Sequence, residues 1–425
     1  MELEHRTFRT TSDQIEDNPE FRDWWQAVHL GFHQGLAQNE TIEWTLRQSV
    51  ADNWQLRGVY DTDLPAEALS GDVPIGTFVS FEKTLNVGAG KLLPIHLISE
   101  VTVRPTHRRR GILRTMMTED LTGARDAGHS LAALTATEAT IYGRFGFGPA
   151  TYLQRIRVDT GQDFQLRHST TGRVELTDQE TMGRVAPEIY ARFHERVYGS
   201  IGRKHLYAEE RAGLFDHNEE KRNRKVRNSL HFDEQGRPDG FVSYSVNDTE
   251  SGKITINVLD LCAVGGQAEL ALWEFLGAID LVQQVTWREA PVDHSLKWAL
   301  VNQRGYHEES MSDRLWLRVL DPIGALQGRA YACGDLGLTM QIDDRMGLAD
   351  GRFQVSVSGG EATVTATDAE PDVQLGAEEL ASLYLGGVDP GALAVAGRVR
   401  GDEEAIGRLR SLFAGFGSPW TNTMF

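Results

Sequence analysis

The stretch Ile98-Ser-Glu-Val-Thr-Val-Arg-Pro-Thr-His-Arg-Arg-Arg-Gly-Ile-Leu-Arg-Thr-Met-Met117 decides the fold. It reads as a buried strand, a basic turn and the opening turns of a helix. Ile98, Val101 and Val103 are β-branched and suit a buried, pleated strand, and Pro105 ends it by removing a ladder donor. Gly111 lets the backbone turn tightly into the helix. A helix N-terminus offers free N–H groups and the positive end of its dipole, and here it is wrapped by Arg108, Arg109 and Arg110. Guanidinium groups add charge-assisted donors that match phosphate, so the turn predicts an anion site.

The remaining sequence bounds what that site can serve. A chain of 425 residues exceeds what one core usually supports, which predicts two or three domains, and 40% apolar content excludes general disorder. With 61 acidic against 43 basic residues the formal charge is −18, which disfavours a nucleic-acid partner and favours cationic ligands. Cys262 and Cys333 are too few for a disulfide framework or a cysteine metal site; inert core thiols in a reducing, cytoplasmic compartment are expected. The first residues lack the apolar core of a signal peptide, and no run reaches the length of a membrane span.

Upstream of the motif, Phe21–His33 places apolar residues at three- and four-residue steps and predicts an amphipathic helix. His29 and His33 stand four apart, but no glutamate follows His29 and no third ligand is evident, so no metal is assigned. Trp54–Tyr60, Val73–Phe81 and Leu92–Val103 predict a hairpin-rich sheet. Gly88-Ala-Gly-Lys-Leu92 is not a phosphate loop, because Leu85 stands where the first glycine is required and Leu92 where Ser or Thr would hold magnesium. Past the basic turn, Ile112, Leu113, Met116, Met117, Leu121 and Ala124 make a helical apolar face that ends near Gly128. Leu131–Thr135 returns as a parallel strand and Ile141–Gly148 follows as a short helix.

That order of elements, with Arg108-x-x-Gly111 at the strand-to-helix turn, resembles the GNAT acyl-CoA-dependent N-acetyltransferases. The run from Val101 to Arg114, together with Ile141-Tyr-Gly-Arg-Phe-Gly-Phe-Gly-Pro-Ala-Thr151, is similar to the actinobacterial Eis (enhanced intracellular survival) acetyltransferases. These share Leu113 where the general GNAT pattern has Gly or Ala. The resemblance implies an α+β and α/β architecture: tandem GNAT folds, the second degenerate, followed by a sterol-carrier-like domain. Boundaries are expected at residues 1–158, 159–318 and 319–425.

The residues carry the same division. Thr255–Leu261 and Ala268–Leu276 repeat the strand and helix of the motif, and Val301–Tyr306 with Arg314–Val319 echoes Tyr142–Phe147 with Gln154–Val158. Where the first copy has three arginines the second has Ala263-Val-Gly-Gly-Gln-Ala268, so this copy is read as structural. Lys221–Arg227, beside Glu219 and Glu220, is expected to be a solvated helix face rather than a nucleic-acid patch. From about Leu320, strands at Gly337–Ile342, Gly351–Val357 and Glu361–Ala366 and helices at Ala377–Leu385 and Asp402–Phe413 are expected. The run Gly417-Ser-Pro-Trp-Thr-Asn-Thr-Met-Phe425 finishes on two apolar residues after a tryptophan, where free tails are usually polar, which predicts that its aromatics pack in a groove.

Acetyl transfer from a thioester to an amine needs a pyrophosphate clamp, a register for the thioester, a base and an acid. The turn Arg108, Arg109, Arg110, Gly111, Ile112, Leu113, Arg114 is the candidate clamp. The resemblance implies that Val101, Thr102 and Val103, on a strand splayed from its neighbour, pair with the pantetheine arm, and that Thr137 and Glu138 contact coenzyme A. It also implies Tyr142 as the acid and the carboxylate of Phe425 as the base. An ammonium near pKa 10 must lose a proton before it attacks, and Glu100 on the motif strand is the competing base. Phe32, Trp44 and Glu100, with Trp24 and Glu43, are acceptor-pocket candidates by proximity in sequence. The implied activity is acetyl-CoA-dependent N-acetylation of a primary amine by direct transfer in a ternary complex. Aminoglycoside-like polyamines and lysine side chains are the implied acceptors, and a homohexamer the implied assembly; Met424 stands where some relatives place an acid. The alternative from another class is a non-catalytic acyl-CoA or lipid-binding protein.

Overall fold

The computed structural model describes residues 3–161, 164–217, 219–248 and 252–425, and within them the strands make three sheets. The first runs Leu3–Phe8, Gln55–Asp61, Gly76–Asn86, Leu92–Val103, Leu131–Thr135, Leu315–Val319, Gly148–Pro149. Its apolar side chains alternate between faces, as a pleated strand requires. Val79, Phe81 and Leu97 meet Phe21, Trp24 and Trp25 of the helix Pro19–Gly31, while Phe78 and Ile98 meet Met116 and Leu121 of the helix Ile112–Asp126.

The second sheet runs Tyr306–Asp313, Tyr152–Asp159, Val282–Ala290, Ile254–Ala263, Pro238–Asp248, Arg227–Phe232, Arg173–Thr177. It repeats the first, with one exchange. Tyr152–Asp159, the last strand of the first copy, pairs between two strands of the second sheet, and Leu315–Val319, the last strand of the second copy, pairs between Leu131–Thr135 and Gly148–Pro149 of the first. Positions 158 and 318 therefore fall at the ends of two crossing strands, and each copy completes the other's sheet.

The third sheet runs Glu361–Ala366, Gly351–Ser358, Leu336–Asp343, Val373–Gly376, Val399–Gly401. Its core is continuous with that of the first unit: Leu380, Tyr384 and Phe413 belong to one apolar cluster with Trp25 and Phe81. A buried Arg318–Asp344 ion pair ties the exchanged strand to this unit.

Two local expectations are corrected, and two elements are added. Lys221–Arg227 forms turns leading into a strand, because Arg222 reaches back to Glu180 (2.7 Å) and Lys221 pairs with Glu219 (3.1 Å), which an extended loop permits. Cys262 is buried, whereas Cys333 is only half-buried because it lies in a connecting loop. Leu3–Phe8 and the helix Asn39–Ala51 add elements that the sequence reading did not include.

Candidate active site

The site begins where two strands part. Leu92–Val103 pairs in parallel with Leu131–Thr135 only at His96↔Ala132 and Leu97↔Ala133; beyond them the strands diverge, so Ile98–Val103 and Leu134–Thr137 wall a wedge. On the opposite edge the antiparallel register slips between Thr77 and Val79. Glu100 sits in this bulge at φ 50°, a left-handed conformation that costs a non-glycine residue about 1–3 kcal/mol. Its carbonyl accepts from Thr77 Oγ1 at 2.8 Å, and the bulge turns the strand so that Glu100 lines a cavity. Thr102 is buried with its hydroxyl 2.7 Å from Thr77 Oγ1, so its side chain is committed to the neighbouring strand rather than to the wedge.

The basic turn lies at the far end of the same strand. Arg109 (φ 65°) and Gly111 (φ 83°) are both left-handed and fold the backbone N–H groups into the start of the helix Ile112–Asp126, whose first turn carries no acidic residue. A Cβ at Gly111 would meet nothing within 4 Å, so its backbone angle alone calls for glycine. Arg108, Arg109, Arg110 and Arg114 are exposed around this terminus. From beneath, the buried pair His107 Nε2 and Asp61 Oδ2 (3.0 Å) and the Arg104 guanidinium, donating to the Val73 carbonyl (2.9 Å), brace the turn. Exposed guanidiniums at a helix N-terminus whose first turn carries no acidic residue fit a diphosphate.

At the wide end of the wedge is a cavity of about 660 Å³. Tyr142, at the end of the short helix Ala139–Tyr142, reaches it from the first copy, as do Glu100, Val101, Thr137, Phe32 and Trp44. Burial, and after it the Glu138 charge, pushes the Tyr142 phenol up, so it is a proton donor at neutral pH. Burial likewise raises the Glu100 carboxyl, partly opposed by Lys204. The buried ring of Phe425 meets Phe81 edge to face at 6.2 Å between centroids. A main-chain oxygen of Phe425 accepts from Thr135 Oγ1 at 3.3 Å, at the point where the strands have parted. A neutral phenol and two carboxyl groups on one cavity can give and take a proton.

Several predicted residues lie elsewhere. Trp24 is fully buried and donates to the Arg57 carbonyl at 2.7 Å, so it is core; Glu43 faces a separate groove with Glu40 and Arg47. Glu138 is exposed and precedes the Tyr142 helix without lining the cavity. The far wall, including Lys204, Glu210, His217, Arg288 and Glu289, comes from the second copy and escaped the sequence reading. No local motif marks these residues, because only the apposition of the two copies brings them to the wedge.

A bulged, split pair of strands followed by a basic turn at a helix N-terminus defines an acetyltransferase of the GNAT class. An acetyltransferase (GNAT) domain family matches residues 16–150, a second GNAT family residues 199–319, and a sterol carrier protein domain family residues 322–422. An uncharacterized N-acetyltransferase of Streptomyces avermitilis is 33% identical over 431 residues, covering 97% of this chain and 99% of its own. The N-acetyltransferase Eis of Mycobacterium tuberculosis is 32% identical over 367 residues, covering 81% and 84%. The crystal structure of Eis1 from Mycobacterium abscessus superposes with a TM-score of 0.81 at 27% identity, over 100% of both chains. The chain belongs to the Eis family of GNAT N-acetyltransferases. It is an acetyltransferase enzyme, and the GNAT fold implies acetyl-CoA as its co-substrate. No described helix is long and apolar enough to cross a membrane.

Proposed function

We propose that this enzyme acetylates a primary amine directly, with both substrates bound together, Tyr142 acting as the acid and the Phe425 carboxylate as the base. The observation that carries the reading is the convergence of Tyr142, Glu100 and Phe425 on one cavity at the open end of the wedge. Acetyl-CoA supplies an activated thioester. Arg108, Arg109, Arg110 and Arg114, with the Gly111 to Leu113 backbone, hold its diphosphate, and the backbone of Val101, Thr102 and Val103 aligns its arm; Thr137 and Glu138 stand at the other side of the arm. The Phe425 carboxylate draws the ammonium in and takes its proton, while Tyr142 gives a proton to the departing sulfur. In this division residues 1–158 hold the chemistry, 159–318 the second wall and 319–425 the tail.

Aminoglycoside-like polyamines and lysine side chains are the acceptors to test first. A second acceptor class is favoured by Lys204 and Arg288, two cations that line the cavity opposite the catalytic carboxyl groups. Together they favour an amine that also bears a carboxylate. The resemblance implies a hexamer, for which exposed Trp298 and Met311 offer apolar surface to a second copy, and light scattering tests it.

Release of free thiol with a panel holding both acceptor classes tests the activity. Appending two glycines to Phe425 tests the base. Two residues move the carboxylate by up to about 7 Å, beyond proton-transfer reach, and kcat should fall about a hundredfold or more with coenzyme A affinity unchanged. Full activity of the extended enzyme would transfer the role to Glu100.

A further inference from the structure

The second copy keeps the bulge and the split although it has lost the arginines. Its strands Ile254–Ala263 and Val282–Ala290 pair in parallel from Ile254↔Val282 to Val258↔Trp287 and then diverge, and the neighbouring register slips between Ser243 and Tyr244, as it does at Thr77 and Val79 in the first copy. This second wedge is filled by the chain's own tail. Trp420 Nε1 donates to the Glu289 carbonyl on one diverging strand (2.9 Å), and Asn422 Nδ2 donates to the Leu261 carbonyl (3.3 Å) and to Asp260 Oδ1 (3.1 Å) on the other. The Trp420 ring packs edge-on against Trp287 and Phe193.

The seat is specific and polar rather than merely greasy. Thr421, Asn422 and Thr423 are fully buried, and three groups of the second copy hold them. Arg203 makes a two-pronged ion pair with Asp260 (2.7 and 2.8 Å) and reaches Thr423 Oγ1 (3.3 Å). Tyr207 donates to the Asn422 carbonyl (3.1 Å), and Tyr190 and Thr423 share a hydroxyl hydrogen bond (2.9 Å). Met424 and Phe425 then emerge into the cavity of the first copy.

We infer that the second copy's split strands are a clamp for the chain's own tail, and that Asn422, held by Asp260, is a positioning residue setting where Phe425 stands in the active cavity. The wedge that would receive an acyl carrier in one copy receives a peptide in the other, and neither function leaves room for both. Its catalytic half rests on the proposed role of the Phe425 carboxylate. A displaced carboxylate no longer meets the amine, and displacements near 1 Å cost on the order of a hundredfold.

The test pairs two readouts on the full-length enzyme carrying Asn422→Ala, with Trp420→Phe as a second variant that keeps an aromatic ring against Trp287 and Phe193 and loses the bond to Glu289. Carboxypeptidase trimming reports whether the tail is seated, and kcat at saturating acetyl-CoA reports whether Phe425 is aligned. Faster trimming is expected, with kcat down about tenfold to a hundredfold, an unchanged KM for acetyl-CoA, and partial rescue by added formate. A purely structural role would lower the melting temperature without the kcat loss or the rescue. Wild-type trimming and wild-type kcat in both variants would overturn the clamp. Faster trimming with wild-type kcat would uphold the seat and overturn the Phe425 base.

Discussion

Acid should loosen the contact between the two copies through one histidine. His194, at the end of the second copy's helix Gln179–His194, is buried, with Nε2 2.8 Å from Thr84 Oγ1 of the first copy and Nδ1 2.7 Å from Ser200 Oγ. Burial lowers its pKa from 6.5 to about 4. Below pH 6.5 the unfolded chain takes up a proton that the native chain refuses, so stability is fully present above that value and is lost as the pH falls toward 4. A gap of about 2.5 pH units, at about 1.4 kcal/mol for each, comes to about 3.5 kcal/mol in full, of which about 3 kcal/mol is lost by pH 4, where the native imidazole is half protonated. Urea titrations at pH 7.5 and pH 4, on the wild type and on His194→Gln, isolate this contribution, because glutamine keeps a hydrogen-bonding group near Thr84 and does not titrate. The wild type should lose about 3 kcal/mol more than the variant across that interval. Parallel losses in the two proteins would refute the reasoning, since every other titrating group is common to both.

Other consequences are as direct. Arg108→Ala with Arg109→Ala should raise the KM for acetyl-CoA about tenfold for each arginine removed, each supplying about 1.5 kcal/mol as a charge-assisted donor, while kcat at saturation stays within about twofold; steady-state kinetics at fixed ionic strength checks it. Glu100→Gln should be more stable than the wild type at pH 8 and equal to it at pH 4. Burial raises the Glu100 pKa, so the native protein loses stability as the pH rises from the ordinary carboxyl range through that raised value, and glutamine removes the loss. Thermal unfolding at the two pH values reads the difference. A fall in kcat of less than about tenfold in the same variant would fit a Phe425 base, because loss of the true base costs about a hundredfold or more.

Much of the first copy was legible because its signals are local. Leu92–Val103 was bounded correctly by its β-branched residues and Pro105, and Gly111 announced the helix start by the left-handed angle that it adopts. The third unit's strands at Gly351–Ser358 and Glu361–Ala366 followed from alternation and glycine punctuation. What stayed hidden depends on long-range placement. The apolar run Leu315–Val319 says that a strand is buried but not in whose sheet it is buried. Leu3–Phe8 carries Glu4, His5 and Arg6 and pairs along the edge of its sheet, so its composition conceals it. Asn422 looks like an ordinary tail residue until Asp260, far away in the sequence, is beside it. Trp24 and Glu43 were offered to the acceptor pocket because nearness in sequence stood in for nearness in space.

The exchange of strands explains why one copy could lose its diphosphate site without being discarded. Leu131–Thr135 forms one wall of the active wedge, and Leu315–Val319 pairs along its other edge from Leu131 to Thr135. Without that strand, the wall would be an open sheet edge, free to bend or to pair elsewhere, and the opening at Thr135 would have no fixed width. The second copy thus supplies a brace for the active wedge, the far wall of the cavity and a seat for the tail. All three depend on its backbone geometry. None depends on arginines at the turn Ala263–Ala268. These roles need the bulge and the split of the second copy, which the chain keeps although the turn Ala263–Ala268 itself carries no arginine.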